Sequence, residues 1–155
     1  MCAEPLEGIP PGTDYSAFFL DPEFKARYPG ITLPPPSFIA SGARILSFEA
    51  VRSIKLVFPV REHQLNPIGT LQGGILCSFF DEAFGTLSFA SLRKPCVSID
   101  MAVNFIRPIR PGEGLIISAE FTAKSRKLIH LSAEARNGKE KLAATATSKL
   151  MVYEP

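Results

Sequence analysis

The run from Ile75 to Leu92 limits the possible folds of this chain more than any other stretch. It is almost continuously apolar, opened by Gly73-Gly74 and closed by Arg93-Lys94-Pro95, yet Asp81 and Glu82 stand near its middle. In a bilayer each of those charges would cost roughly 2.5–3.5 kcal/mol, so the run is not expected to span a membrane. At about 3.6 residues per turn, Phe79, Phe80, Phe84, Leu87 and Phe89 surround most of a helix. A helix apolar nearly all round is a core helix. The basic residues and Pro95 behind it give a C-terminal stop.

A core helix needs a sheet to cover it. Ile54, Leu56, Phe58 and Val60 share one face of the segment 43–60, with Lys55 opposite. After the helix, Val97, Ile99, Met101, Val103 and Phe105 alternate, and so do Leu115, Ile117, Ala119 and Phe121. Ile129, Leu131, Ala133 and Ala135 alternate in turn, while Leu142 to Tyr153 does so less cleanly. These are period-two strands. Pro111-Gly112-Glu113-Gly114, Lys124-Ser125-Arg126-Lys127 and Asn137-Gly138-Lys139 supply the turns between them. The order is one or two strands, a long buried helix, then four antiparallel strands. It predicts an α+β protein of the hotdog arrangement, a curved antiparallel sheet wrapped around one long central helix.

That domain is expected over 41–155, preceded by an N-terminal arm and short helix over 1–40. Residues 1–14 read as a flexible arm. A helix is expected within Tyr15–Arg27, where Asp21-Pro22-Glu23 offers a cap, a first-turn Pro and an acidic first turn. Pro29-Gly30 and Pro34-Pro35-Pro36 read as breaks, in a region that serves as a lid or edge cover.

The 155 residues are enough for one unstapled core. Three cysteines, Cys2, Cys77 and Cys96, show no C-x-x-C spacing, which argues against a disulfide framework or a zinc site and for a reducing cytoplasm. The segment Met1–Pro11 lacks the basic and apolar regions of a signal peptide. A net charge of +2 gives no electrostatic footprint for nucleic acid.

Asn66-Pro-Ile-Gly-Thr-Leu-Gln-Gly-Gly, followed by Asp81, resembles the signature of the PaaI-type hotdog acyl-CoA thioesterases. Val97 to Met101 and Asn104-Phe105-Ile106-Arg107-Pro108 resemble that family's next strand, and Pro111-Gly112-Glu113 resembles the turn after it. The likeness covers about residues 45–152. The family's usual pattern is N-x-x-G-x-x-H-G-G, and its His is Gln72 here. Neither His63 nor His130 has the spacing to replace it. Glutamine can stand in where the side chain shapes the loop by hydrogen bonding, but not where a proton or charge is needed.

The resemblance implies hydrolysis of an aliphatic or aromatic acyl-CoA to free acid and CoA, with no metal or cofactor. It implies that the Gly73 N–H is the oxyanion donor, helped by Asn66, and that Ser98 positions the attacking water with Asp81. Gly73 and Gly74 suit that task, because N–H groups at a helix start lack helical partners and glycine admits close approach. Gln72 and Gly74 would meet the substrate. Asp81 is the expected catalytic carboxylate, as general base or nucleophile, since a carboxylate in an apolar helix is costly unless paired or used. Glu82, about 100° further round, is the second choice for that role and is expected to form a salt bridge. Arg107, Arg110, Arg126 and Lys127 would hold the CoA phosphates. Phe79, Phe80 and Phe84 belong to the core or line an acyl tunnel, and Cys77 lacks a basic neighbour that would make it a nucleophile.

Asp81 lies eight residues beyond Gly73, about 12 Å along a helix axis. Both cannot act on one carbonyl within a single chain. A second copy with an antiparallel helix would bring its Asp81 to this Gly73, so a homodimer with composite sites is expected; the family resemblance adds pairing of dimers into tetramers. Two other readings are a hotdog dehydratase or hydratase and a non-catalytic acyl-CoA-binding hotdog module. The first needs a helix His, absent between Gln72 and Leu92. The second is favoured by Gln72.

Overall fold

The computed structural model describes residues 22–153. The expected arm over residues 1–14, Cys2 and the first part of the expected N-terminal helix lie outside the described residues. Two short helices, α1 (Pro22–Arg27) and α2 (Pro36–Ser41), precede a hairpin of β1 (Arg44–Glu49) and β2 (Ser53–Phe58). A 3-10 turn (Glu62–Gln64) leads to the long helix α3 (Gly73–Leu92). Strands β3 (Cys96–Phe105), β4 (Leu115–Lys124), β5 (Leu128–Arg136) and β6 (Leu142–Val152) come after it. All pair antiparallel in one six-stranded sheet of order β1-β2-β4-β5-β6-β3, with α3 packed on its inner face. This is the expected hotdog arrangement.

The periodic residues form the core. Ile54, Leu56, Phe58, Leu115, Ile117, Ile129, Leu131 and Leu150 are buried from the sheet side, and Phe80, Phe84 and Leu87 from the helix. Phe79 stacks on Phe58 with ring centroids 4.4 Å apart. By length and composition alone α3 could cross a membrane; in this fold half of it is buried inside the protein.

The segment 43–60 is two strands, one of the alternatives left open by sequence, because the chain turns at residues 49–52, where Val51 takes φ 56° and the Arg52 N–H reaches Glu49 O. The described part of the segment before the sheet packs on the helix, where Phe24 meets Phe89 edge-on at 4.6 Å. Two local outcomes differ from the expectations drawn from sequence. Pro36 starts a helix rather than breaking one, since a first-turn Pro gives up no helical hydrogen bond. Finally, α3 is not apolar all round. Gly74, Ser78 and Asp81 form an exposed strip on it.

The most consequential difference lies in β3. Its pairing with β6 slips between Ser98 and Asp100, leaving Ile99 as the extra residue of a β-bulge. Unbroken alternation would put Ser98 on the face opposite Met101. With the bulge, Ser98 pairs with Leu150, and Met101 with Ser148, both buried residues of the inner face. Ser98, Met101, Val103 and Phe105 therefore all point inward, while Val97 and Asp100 point out. Asp100 there holds Lys149 at 2.6 Å.

Candidate active site

The segment between β2 and α3 is tied down by its own side chains. Asn66 Oδ1 accepts the N–H groups of Ile68 and Thr70, both at 3.1 Å. Its Nδ2 donates to Thr70 Oγ1 at 2.8 Å. Gly69, at φ 75°, closes the turn with its N–H on Asn66 O. Leu71 N–H then bonds Ile109 O, and Gln72 N–H bonds Gln64 O. Asn66 was expected at the substrate carbonyl; in the structure its oxygen and one of its two amide N–H donors are spent within the loop.

Gln72 is the N-cap of α3, and its Oε1 accepts the Ile75 N–H at 2.9 Å. The Ile75 and Leu76 N–H groups also reach Gln72 O. The N–H groups of Gly73 and Gly74 find no acceptor among the described residues. A Cβ on Gly73 would stand 3.3 Å from Phe105 Cζ, so that ring, 58% exposed, walls one side of the helix start.

Two turns further along α3, Ser98 Oγ donates to Asp81 Oδ1 at 2.6 Å. Asp81 is exposed, not sunk in the core as an acid in an apolar run suggests. Its neighbour Glu82 is the half-buried one. Burial pushes the Glu82 carboxyl above its usual range and the Asp81 charge adds to that, against a hydrogen bond from Ser37 of α2. Glu82 thus meets a hydroxyl where a salt bridge was expected.

The four basic residues do not form one cluster. Arg107 lies just past the end of β3 and donates to Leu142 O at 2.5 Å. Arg110 lies beyond it, its N–H on Glu113. Both are at the sheet end nearest Gly73, because Leu71 pairs with Ile109. Arg126 and Lys127 sit in the β4–β5 turn at the opposite end, where Val152 N–H meets Lys127 O. Spacing in sequence could not reveal that separation. Phe79, Phe80 and Phe84 are core residues, each at most 3% exposed. Cys77 and Cys96 are unpaired thiols, and burial pushes Cys96 up to about 11. A hollow of about 530 Å³ lies on the outer face of the sheet, between Lys55, Glu120, Ser132 and Glu134, and shares no residue with this site.

Sequence reasoning missed Phe105 as part of the site, and its signal was present: an aromatic residue in a strand that resembles the family's.

Residues 68–144 match the family profile described as the thioesterase superfamily. Over 80 residues the chain is 30% identical to acyl-coenzyme A thioesterase 13 of Homo sapiens, covering 50% of this chain and 56% of that one. The match thus spans little more than half the length of that curated relative. Among solved structures, a phenylacetic acid degradation-related protein of Ralstonia eutropha JMP134 has TM-score 0.73 and 27% identity, over 83% of this chain and 98% of that one. The PaaI protein of E. coli, from the phenylacetic acid degradation operon, has TM-score 0.74 and 22% identity, over 83% and 89%. That second likeness is one of fold.

Proposed function

The chain belongs to the thioesterase superfamily, in its PaaI-type hotdog form, and we propose that it hydrolyses acyl-CoA thioesters to the free acid and CoA. The observation that carries this reading is the exposed Asp81 carboxylate, held by Ser98 at 2.6 Å on the uncovered strip of α3. Asp81 takes a proton from a water held with Ser98, or attacks the carbonyl carbon itself. The oxygen of the tetrahedral intermediate takes a hydrogen bond from the unpaired Gly73 N–H. Collapse breaks the C–S bond. In the first route the proton gained by Asp81 goes to the departing thiolate; in the second the thiolate leaves an acyl–Asp81 anhydride, which water hydrolyses to the free acid and the Asp81 carboxylate, a proton of that water going to the thiolate.

The reactive groups come from two copies. β3 is a ten-residue edge strand carrying exposed Val97, Ile99 and Phe105. Such an edge offers unpaired backbone groups to another strand. Antiparallel pairing of two β3 strands about a two-fold axis sets the α3 helices side by side and reversed. Asp81 of the partner subunit then approaches this Gly73. The same reversal carries the partner's Arg126 and Lys127 to the end holding Arg107 and Arg110, where together they meet the CoA phosphates. Pairing of two dimers extends this assembly. Unpaired Cys77 and Cys96 fit a reducing cytoplasm.

The test is thiol release from short, long and aromatic acyl-CoAs by the wild type and Asp81→Ala. Release by the wild type alone supports the reading; equal release by both sinks Asp81 as the catalyst. CoA retained without turnover instead identifies a binding module, the reading that Gln72 favours.

A further inference from the structure

The first turn of α3 decides which side chain can meet a carbonyl beside Gly73. Asn66 is largely engaged in its own loop: its oxygen takes two backbone N–H groups and one of its two amide N–H donors holds Thr70. Gln72 is differently placed. The Ile75 N–H is a donor, so the Gln72 atom 2.9 Å from it must be the acceptor, Oε1. That fixes the orientation of the planar amide. Nε2 is on its other arm, where it would stand 3.4 Å from a Cβ built on Gly74. Gln72 is exposed, and Nε2 has no acceptor among the described residues.

Gly74 makes this arrangement possible. A Cβ there would lie 2.9 Å from Gln72 Oε1, closer than side chains pack, and would push the amide off the helix start. With glycine in place, three unpaired donors gather at one turn: the N–H groups of Gly73 and Gly74 and the side-chain amide of Gln72.

We infer that Gln72 Nε2 donates a hydrogen bond to the thioester carbonyl oxygen alongside the Gly73 N–H, with Asn66 holding the loop that carries them. The inference rests on the thioesterase reading above and names the second donor of that site. One side chain serves two ends: its oxygen caps the helix and its nitrogen polarises the substrate. Both donors to the carbonyl are neutral amides. The bond strengthens as charge develops on oxygen, so its loss appears in kcat more than in KM.

The experiment compares Gln72→Glu and Gln72→Asn with the wild type and Asp81→Ala, by thiol release and thermal melting. Glutamate keeps an oxygen for the Ile75 N–H but places a carboxylate where the donor was. Asparagine caps a helix well, yet its amide is one methylene shorter. Both variants should melt close to the wild type. Gln72→Glu should lose about 100-fold or more in kcat, the usual loss for one oxyanion donor, and Gln72→Asn about 10-fold or more, with KM changed far less. Wild-type turnover that Asp81→Ala abolishes but Gln72→Glu leaves within about threefold overturns this inference alone. Losses that follow lowered melting temperature, with kcat per folded molecule intact, overturn it too. Failure of the wild type to release thiol overturns the parent reading and this one with it.

Discussion

Ser98 Oγ lies 2.6 Å from Asp81 Oδ1, bridging β3 and α3. The pair joins two elements separated by the α3–β3 connection, and its geometry depends on the β-bulge that Ser98 borders. Removing the carboxylate should cost roughly 10²–10⁴-fold in kcat, the range for a positioned acid or base. Asp81 is exposed, so Asp81→Ala should melt with the wild type. A hydrogen bond to a charged group is worth about 1.5–3 kcal/mol. Ser98→Ala should therefore lose roughly 10- to 100-fold in kcat. Steady-state kinetics beside melting curves check both; full activity in Ser98→Ala would leave the pair without a catalytic role.

Deleting Ile99 should be worse for activity than mutating Ser98. The deletion removes the extra residue and restores simple alternation through β3. Residues 96–98 then exchange faces, and Ser98 turns away from Asp81. Circular dichroism should still report the sheet while turnover falls to the level of Asp81→Ala. A deletion variant with wild-type kcat would show that the bulge does not set the site.

Gly73→Pro offers a clean removal of the proposed oxyanion donor. Position 73 is the first residue of α3, where proline is well tolerated. Gln72 has φ −67° and ψ 133°, which suits a residue before proline. A Cβ there would meet the Phe105 ring, which is partly exposed. The variant should fold and lose about 10²–10³-fold in kcat. Mixed with Asp81→Ala and allowed to exchange subunits, it should recover about a quarter of wild-type activity, because half the dimers carry one intact composite site. No recovery, with exchange demonstrated, would place both residues of each site on one chain.

Glu82 sets a pH dependence of stability. Its folded pKa is raised, first by burial and then by the Asp81 charge. The folded state therefore binds this proton more tightly than the unfolded chain does. The stability it contributes is present below the ordinary pKa of 4.5 and is lost as pH rises through the elevated value. Glu82→Gln should thus melt higher than the wild type near pH 7, the gain fading as pH falls below that range. Ser37→Ala should shift stability the other way at neutral pH, because the hydroxyl supports the charged form. Melting curves across pH 4–8 check both signs; a wild-type curve parallel to that of Glu82→Gln would refute this origin.

Much of the fold could be read from local pattern. The alternation in β2, β4 and β5 marks the residues that are buried, and the apolar run of α3 marks the central helix. The candidate site was legible through its resemblance to the family's signature, from Asn66 to Gly74 and at Asp81 by its offset. It was not legible where a side chain had to choose among neighbours. Asn66 offers an amide, and only the folded loop shows Thr70 and Ile68 taking it. Arg107 and Arg126 look alike in sequence, and strand direction alone separates them.

Sequence by itself determined the α+β order, the helix at the centre and the two candidate ends of the chemistry, Gly73 and Asp81. The order and the central helix come from periodicity, a property of a segment and its neighbours along the chain; Gly73 and Asp81 come from the resemblance to the family's signature, with helical rise giving their separation. Tertiary structure decided that Ser98 faces Asp81, that the Asn66 amide turns onto Thr70 while the Gln72 amide nitrogen stays unpaired among the described residues, and that β3 lies at the edge. Each of these depends on which distant residue stands opposite. The register of β3 against β6, with Ile99 left unpaired, is set by pairing across more than forty residues, and no local pattern carries it.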